Sequence, residues 1–298
     1  MPFSIPSFAK VNLHLRVLGR REDGFHDIFT VFQTVSLHDT LTFDAAPSGV
    51  SLTCGDEAVP TDGTNLIIKA AEILRARYGI AAGASIHLQK RTPTGGGLGG
   101  GSSNAAAALI GLARLWSLNL SDGELITAAG EVGSDVPFFL IGGTAIGTGR
   151  GTQIEPIDDL RGGEFLLIVT PDAHVSTARA YERLRAQNLT NEEANRILRV
   201  CRSEADTRDF LGPTLINDFE ATVFADFPEI GRAKQTLIGL GAERALMSGS
   251  GASVFGIFDK DETRQAALKA LDNEVNWRKF AVAAISREQY REALEIAY

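Results

Sequence analysis

The stretch TPTGGGLGGGSSNAAAAL, Thr92–Leu109, decides how the rest of the chain is read. Six of the seven positions from Gly95 to Gly101 are glycine, and four consecutive alanines follow soon after. Glycine loses more conformational freedom on folding than any other residue, so the cluster is costly unless its shape is used. Upstream, Ser85–Lys90 alternates polar and apolar residues as a strand does; downstream, Ser103–Leu115 reads as a helix apolar on nearly every face, hence buried. A flexible linker joins domains rather than a strand to a core helix, which disfavours that reading and a plain turn alike. An anion cradle fits better. Bare backbone N–H groups can converge on phosphate oxygens, and the positive end of the following helix points at them. Ser102, Ser103 and Asn104 are expected to supply oxygens that cap the helix, donate to phosphate or help hold Mg²⁺.

Other phosphate loops fit less well. Gly95–Gly100 satisfies G-x-G-x-x-G, but a dinucleotide fold needs a following strand that ends in an acidic residue. Here the sequence continues as helix, SDGE and helix again. The Walker spacing exists from Gly96 to Gly101, yet Ser102 stands where lysine is required. The V-A-I-K, H-R-D and D-F-G motifs of protein kinases are missing.

The chain has 298 residues, enough for one large domain or two ordinary ones. Its net charge of −8 argues against a general nucleic-acid or membrane-surface binder, while leaving room for a local basic site. Cys54 and Cys201 suggest two reduced thiols rather than a disulfide framework or metal site. MPFSIPSFAKVNLHL lacks the basic start and long apolar run of a secretory signal, and no segment is long and apolar enough to span a bilayer. A cytoplasmic location is the expectation.

Along the chain, Val11, Leu13, Leu15 and Val17 alternate with Lys10, Asn12, His14 and Arg16, predicting a half-buried strand. Residues 19–24 read as a turn, 27–37 and 40–43 as two strands, and 50–54 as an edge strand. Helices are predicted over 65–78, ending at Gly79, and over 121–132, capped by Ser121 or Asp122. The composition resets across 155–163. Beyond it come a strand at 165–170, helices at 176–185 and 191–199, and one or two helices in 216–240 interrupted by Pro228. A strand–turn–strand around SGSGAS (245–258) and a helix at 261–271 follow. Strands and helices mix without a βαβ repeat, so the fold class is α+β with two lobes.

Five stretches in order, AKVNLHL (9–15), REDGFHDIFTVFQ (21–33), PTGGGLGGGSSNAA (93–106), GSDVPFFL (133–140) and MSGSGASVFGIF (247–258), resemble the GHMP small-molecule kinases; NDFE (217–220) matches a weaker signature. The resemblance implies a two-lobed GHMP kinase fold. An N-terminal lobe like ribosomal protein S5 domain 2 would occupy 1–157, and a C-terminal ferredoxin-like α/β-plait lobe 158–298. It also implies MgATP as phosphoryl donor and a small-molecule alcohol as acceptor. DGFH together with GSDVPFF points to members whose acceptor carries a cytidine diphosphate.

Residue by residue, the resemblance implies that Lys10 and Asp135 meet at the transferred phosphoryl group, Asp135 taking the hydroxyl proton. Pro93, Gly95, Gly96, Gly97, Leu98, Gly99, Gly100, Gly101, Ser102 and Ser103 would hold ATP. Asn12 would lie near the acceptor, His26 would read the cytosine edge, Phe25 and Tyr181 would stack on the base, and Thr177 would contact the substrate. Ser248, Gly249, Ser250 and Gly251 would form a tight turn against the phosphate loop. No protein metal site is implied; His26 has no second His or Cys at ligand spacing. Two departures stand out: Phe25 replaces the usual tyrosine, expected to keep stacking and lose a hydroxyl contact, and Gly96 replaces an alanine, expected to loosen the loop slightly. Taken singly, Lys10 could be a solvated strand lysine and Asp135 a cap for a helix starting at Val136-Pro137. A kinase of the same superfamily acting on homoserine, mevalonate or a sugar, and a nucleotide sensor without catalysis, are the alternatives.

Overall fold

The computed structural model describes residues 1–160, 165–184, 191–206 and 215–296. Arg161, Gly162 and Gly163 of the expected lobe boundary, and Arg185 at the end of an expected helix, lie outside the described residues.

The first sheet contains β1 (Phe3–Arg20), β2 (His26–Ala46), β3 (Val50–Cys54), β4 (Gly83–Gln89), β5 (Thr144–Gly149) and β6 (Gln153–Pro156). Its order is β3-β4-β2-β5-β6, with β1 also paired to β2. The two strands expected at 27–37 and 40–43 are one continuous strand. β1 pairs antiparallel with β2 from His26 to Phe43 on one side, while on the other Ile28–Gln33 pair with β5 and Thr40–Ala46 with β4. A strand shared among three neighbours does not break where its pattern weakens.

Helices α1 (Leu66–Tyr78), α2 (Gly100–Leu115) and α3 (Asp122–Val132) pack on one face of this sheet. The Asn65 side chain caps α1 and Gly79 ends it in the left-handed region. Ser121 and Glu124 form a capping box on α3. The short α4 (Phe138–Ile141) follows. In α2 the alanine run is fully buried, and a Cβ on Gly111 would come within 2.4 Å of the Phe43 ring. Small residues let this helix lie close against β2.

The second sheet contains β7 (Phe165–Pro171), β8 (Arg244–Met247), β9 (Val254–Phe258) and β10 (Trp277–Ala283), in the antiparallel order β10-β7-β9-β8. That order with helical crossovers is the ferredoxin-like plait. α5 (Thr177–Arg183), α6 (Asn191–Asp206), α7 (Glu220–Asp226), α8 (Pro228–Gly239) and α9 (Asp261–Ala270) complete the lobe. Pro228 opens α8 at its first position rather than interrupting a helix. β7 is apolar from Phe165 to Val169 because both faces are covered. Leu166 and Ile168 meet Val11, Leu13, Phe29 and Val31 of the first sheet, while Leu167 and Val169 meet Ile230, Ala233 and Leu237 of α8.

The half-buried strand expected at 11–17 is instead buried on both faces up to Leu15; Lys10, Asn12 and His14 are only 3%, 2% and 6% exposed. In β1, Val11 and Leu13 turn to the second sheet while Lys10 and Asn12 turn to the glycine loop; past the register shift after Asn12, His14 packs on Phe29 and Cys201 instead.

β10 and a last helix, α10 (Arg287–Ala293), were not expected from the sequence. β10 is an edge strand that buries only Trp277 and Val282. α10 returns to the first lobe. Tyr290 and Leu294 join its core, the Tyr290 ring lies 5.5 Å from Phe8, and its hydroxyl donates to the Phe139 carbonyl.

Candidate active site

α2 starts three residues earlier than its apolar pattern suggests, and its N-cap is Gly99 (φ 69°), with no side chain in the cap. The serines are therefore not the cap. Ser102 lines the cleft in the first turn, whereas Ser103 lies beneath the loop and its hydroxyl accepts from Ser7 Oγ at 2.8 Å. The first turn of an α-helix has N–H groups without intrahelical acceptors, so the cleft faces unpaired donors and the positive end of a dipole.

The loop is shaped by contacts at single atoms. Gly97 has φ 74°, and a Cβ there would sit 2.0 Å from the Ser248 carbonyl oxygen. Its own carbonyl accepts from Lys10 Nζ at 2.8 Å and Ser248 Oγ at 2.9 Å. The Gly96 carbonyl accepts from the Ser253 N–H, and a Cβ on Gly96 would meet Ser253 Oγ at 2.7 Å. Glycine in place of alanine thus does not loosen the loop; it admits Ser253.

The SGSG turn is itself held to the first lobe. Asn217 Nδ2 donates to the carbonyls of Met247 (2.7 Å) and Gly249 (2.8 Å). The Leu15 N–H donates to Ile216, and the Asp218 N–H donates back to Leu15. NDFE is the clasp that joins β1 to the turn, and the turn itself holds the glycine loop.

Lys10 lies at the centre of this assembly. Its ammonium donates to Asn12 Oδ1 at 2.6 Å as well as to Gly97, and stands 3.8 Å from Asp135 Oδ2. Asn12 in turn donates to Thr30 Oγ1 at 2.7 Å. Burial pulls the Lys10 pKa below that of a free lysine, and the Asp135 charge opposes the shift. Asp135 keeps 35% of its side chain exposed. It caps no helix: the cap of α4 is Pro137, without a side-chain bond.

Two cavities meet at Asp135. One, of about 440 Å³, is lined by the loop from Pro93 to Ser102, by Lys10 and Asn12, and by a wall of Val59, Pro60, Asn65, Leu66 and Lys90. The other, of about 690 Å³, is lined by Arg20, Phe25, His26, Arg150, Thr177 and Glu182. Ile28, Asp135, Thr177 and Tyr181 border both. The Thr177 and Ser250 hydroxyls are hydrogen-bonded at 2.9 Å.

In the second cavity His26 and Tyr181 stack on each other, ring centroids 4.8 Å apart and planes inclined by 22°. Phe25 is 51% exposed, with the Arg150 guanidinium over its face at 4.5 Å. Burial, and then the Arg20 charge, lower the pKa of His26. Burial and the Asp135 charge raise that of Tyr181.

Sequence reasoning missed both the Val59–Leu66 wall with Lys90 and the pair Arg20 and Arg150. The wall had no motif; its residues close a cavity only because α1 and β4 are neighbours of α2. Arg150 carried a usable signal, a lone cation between glycines in the β5–β6 turn (TGRG).

The GHMP kinases N terminal domain family matches residues 65–143, and the GHMP kinases C terminal family matches residues 208–276. A Synechococcus protein named 4-diphosphocytidyl-2-C-methyl-D-erythritol kinase is 40% identical over 271 residues, covering 88% of this chain and 87% of its own. This chain belongs to that kinase family. A Syntrophotalea carbinolica protein of the same name is 40% identical over 279 residues, covering 93% of this chain and 97% of that one. A crystal structure of 4-(cytidine 5'-diphospho)-2C-methyl-D-erythritol kinase superposes with a TM-score of 0.77 at 32% identity, covering 95% and 99% of the two chains. The two-lobed α+β fold is that of the family. Among the described residues no helix is long and apolar enough to cross a membrane.

Proposed function

We propose that the protein transfers the γ-phosphoryl group of ATP to the 2-hydroxyl of 4-diphosphocytidyl-2-C-methyl-D-erythritol, giving the 2-phosphate and ADP for isoprenoid precursor synthesis in the cytoplasm. One observation carries the reading: Asp135 borders both cavities, 3.8 Å from a lysine that is hydrogen-bonded to the phosphate loop.

Phosphoryl transfer is mostly positioning and charge stabilisation. The glycine loop and the N-terminus of α2 hold the nucleotide's phosphates, and the wall from Val59 to Leu66 encloses its base. Lys10 bridges loop and acceptor, its ammonium placed to stabilise charge at the transferred group. Asp135, 3.8 Å from that ammonium, is placed to accept the hydroxyl proton. Asn12 fixes Lys10 and shares its face of β1. In the second cavity a neutral His26 presents one ring donor and one acceptor to a cytosine edge, flanked by Phe25 and Tyr181. Arg20 and Arg150 offer charge to the diphosphate between base and alcohol.

Among the described residues no cluster of three His, Cys, Asp or Glu could cage a metal. One carboxylate, Asp135, and one loop hydroxyl, Ser102, suit a magnesium ion carried by the nucleotide, since this ion keeps several waters and takes few protein ligands. Such an ion supplies charge neutralisation at the phosphates. The test is ADP release measured with the cytidine diphosphate-linked alcohol beside homoserine, mevalonate and galactose. Turnover of the first alone is expected. Turnover of homoserine alone would overturn the acceptor, and nucleotide binding without any turnover would favour a sensor.

A further inference from the structure

Asp39 lies on β2, completely buried, away from both reacting groups. Four donors converge on its carboxylate: Lys90 Nζ at 2.6 Å, the N–H groups of Arg91 and Thr92 at 2.7 Å each, and Asn104 Nδ2 at 2.9 Å. A carboxylate has about four lone-pair sites, so its capacity is filled. The donors come from two places that matter. Residues 90–92 are the limb that enters the glycine loop from β4, and Asn104 is in the first turns of α2, where the loop leaves. Asn104 also donates to Ser7 Oγ at 2.8 Å on β1. The middle of the loop is held from the other side, by Lys10, Ser248 and Ser253.

We propose that Asp39 is a positioning residue for nucleotide binding, a single buried carboxylate that sets the span of the phosphate loop by holding both of its limbs. The inference rests on the loop being the nucleotide site and reaches past it, to the residue that keeps that site in shape. Six glycines leave the loop little preference for one conformation, so fixed ends are what pre-organise it. The same carboxylate directs Lys90, whose ammonium stands against the start of α2, 2.9 Å from where a Cβ of Gly100 would be. A cation at a helix N-terminus is unfavourable unless an anion partners it.

An amide at position 39 has the right shape and the wrong capacity. Its oxygen can keep the Arg91 and Thr92 N–H groups, but its NH₂ would face Lys90 and Asn104, two further donors. The experiment is calorimetric ADP binding, without alcohol, to the unaltered protein and to Asp39→Asn, with unfolding midpoints and the KM for each substrate. Asp39→Asn is expected to bind ADP about tenfold more weakly, with the acceptor KM within about twofold of the unaltered value. Unchanged ADP affinity in folded Asp39→Asn, or an equal rise in both KM values, would overturn the proposal. If Asp39→Asn does not fold, Asn104→Ala, which cuts the helix-side bond to Asp39 together with the bond to Ser7, takes its place: weaker ADP binding at constant acceptor KM supports the clamp, and unchanged binding overturns it. Unaltered protein that binds no ADP overturns the proposed function together with this inference. Failure of the named alcohol to react leaves the ADP comparison intact.

Discussion

The cavity proposed for the phosphoryl donor and the one proposed for the acceptor are built in opposite ways. Around the loop from Pro93 to Ser102 the binding surface is backbone, buried behind it and tied down by Lys10, Ser248 and Ser253. Around Phe25, His26 and Arg150 it is side chain, exposed in part and carried by two turns. Backbone N–H groups bind any phosphate alike; side chains distinguish one acceptor from another. The contrast explains how one fold can keep its donor chemistry and change its substrate.

The comparison breaks first at Asp135, which belongs to both halves. Asp135→Asn should lower turnover by about 10³-fold or more with ADP affinity within about twofold. Near-normal turnover would remove it as the base. On the donor side, Gly97→Ala combines a positive φ with a Cβ placed on the Ser248 carbonyl, so we expect a loss of about 2–4 kcal/mol in stability and weak ADP binding. Gly101→Ala meets nothing within 4 Å and should leave the unfolding midpoint in place, which separates loop geometry from glycine content. Equal midpoints for the two variants would contradict a contact-defined loop.

On the acceptor side, Arg150→Ala should raise the KM of the cytidine diphosphate-linked alcohol about tenfold and leave that of ATP alone. A matching rise for ATP would move Arg150 out of the acceptor half. The smallest effect concerns pH. Burial and Arg20 hold the His26 pKa below the usual 6.5, so its neutral form persists into mildly acid solution. Acceptor KM should therefore stay constant down to that pH and rise only below it. In Arg20→Ala one of the two causes is gone, and the rise should begin at higher pH; onset at an unchanged or lower pH would exclude the Arg20 effect.

How far these features could be read from sequence follows the same division. The glycine loop, the caps of α1 and α3 and the SGSGAS turn are local signals, written in residues that only those geometries require. The polar face of β1 was misread because periodicity reports two faces, not which of them meets water. Ser103 looked like a cap because a helix start is judged by side chains, whereas Gly99 caps with backbone conformation alone. Arg150, Lys90 and Asp39 act through neighbours brought together by sheet order, which one sequence does not contain. α10 was invisible since its amphipathic face is little more than Tyr290.

That helix has a consequence for synthesis. Tyr290 and Leu294 fill the core of a lobe whose strands end at Pro156, and Ile285 closes a hydrogen bond with Thr34. On the ribosome, domains generally fold from the N-terminus as they emerge. Here the residues that fill the interior of the first lobe, Tyr290 and Leu294, are translated only after the second sheet. A first lobe that folds as it emerges does so around a hole, and waits for that later stretch to close it.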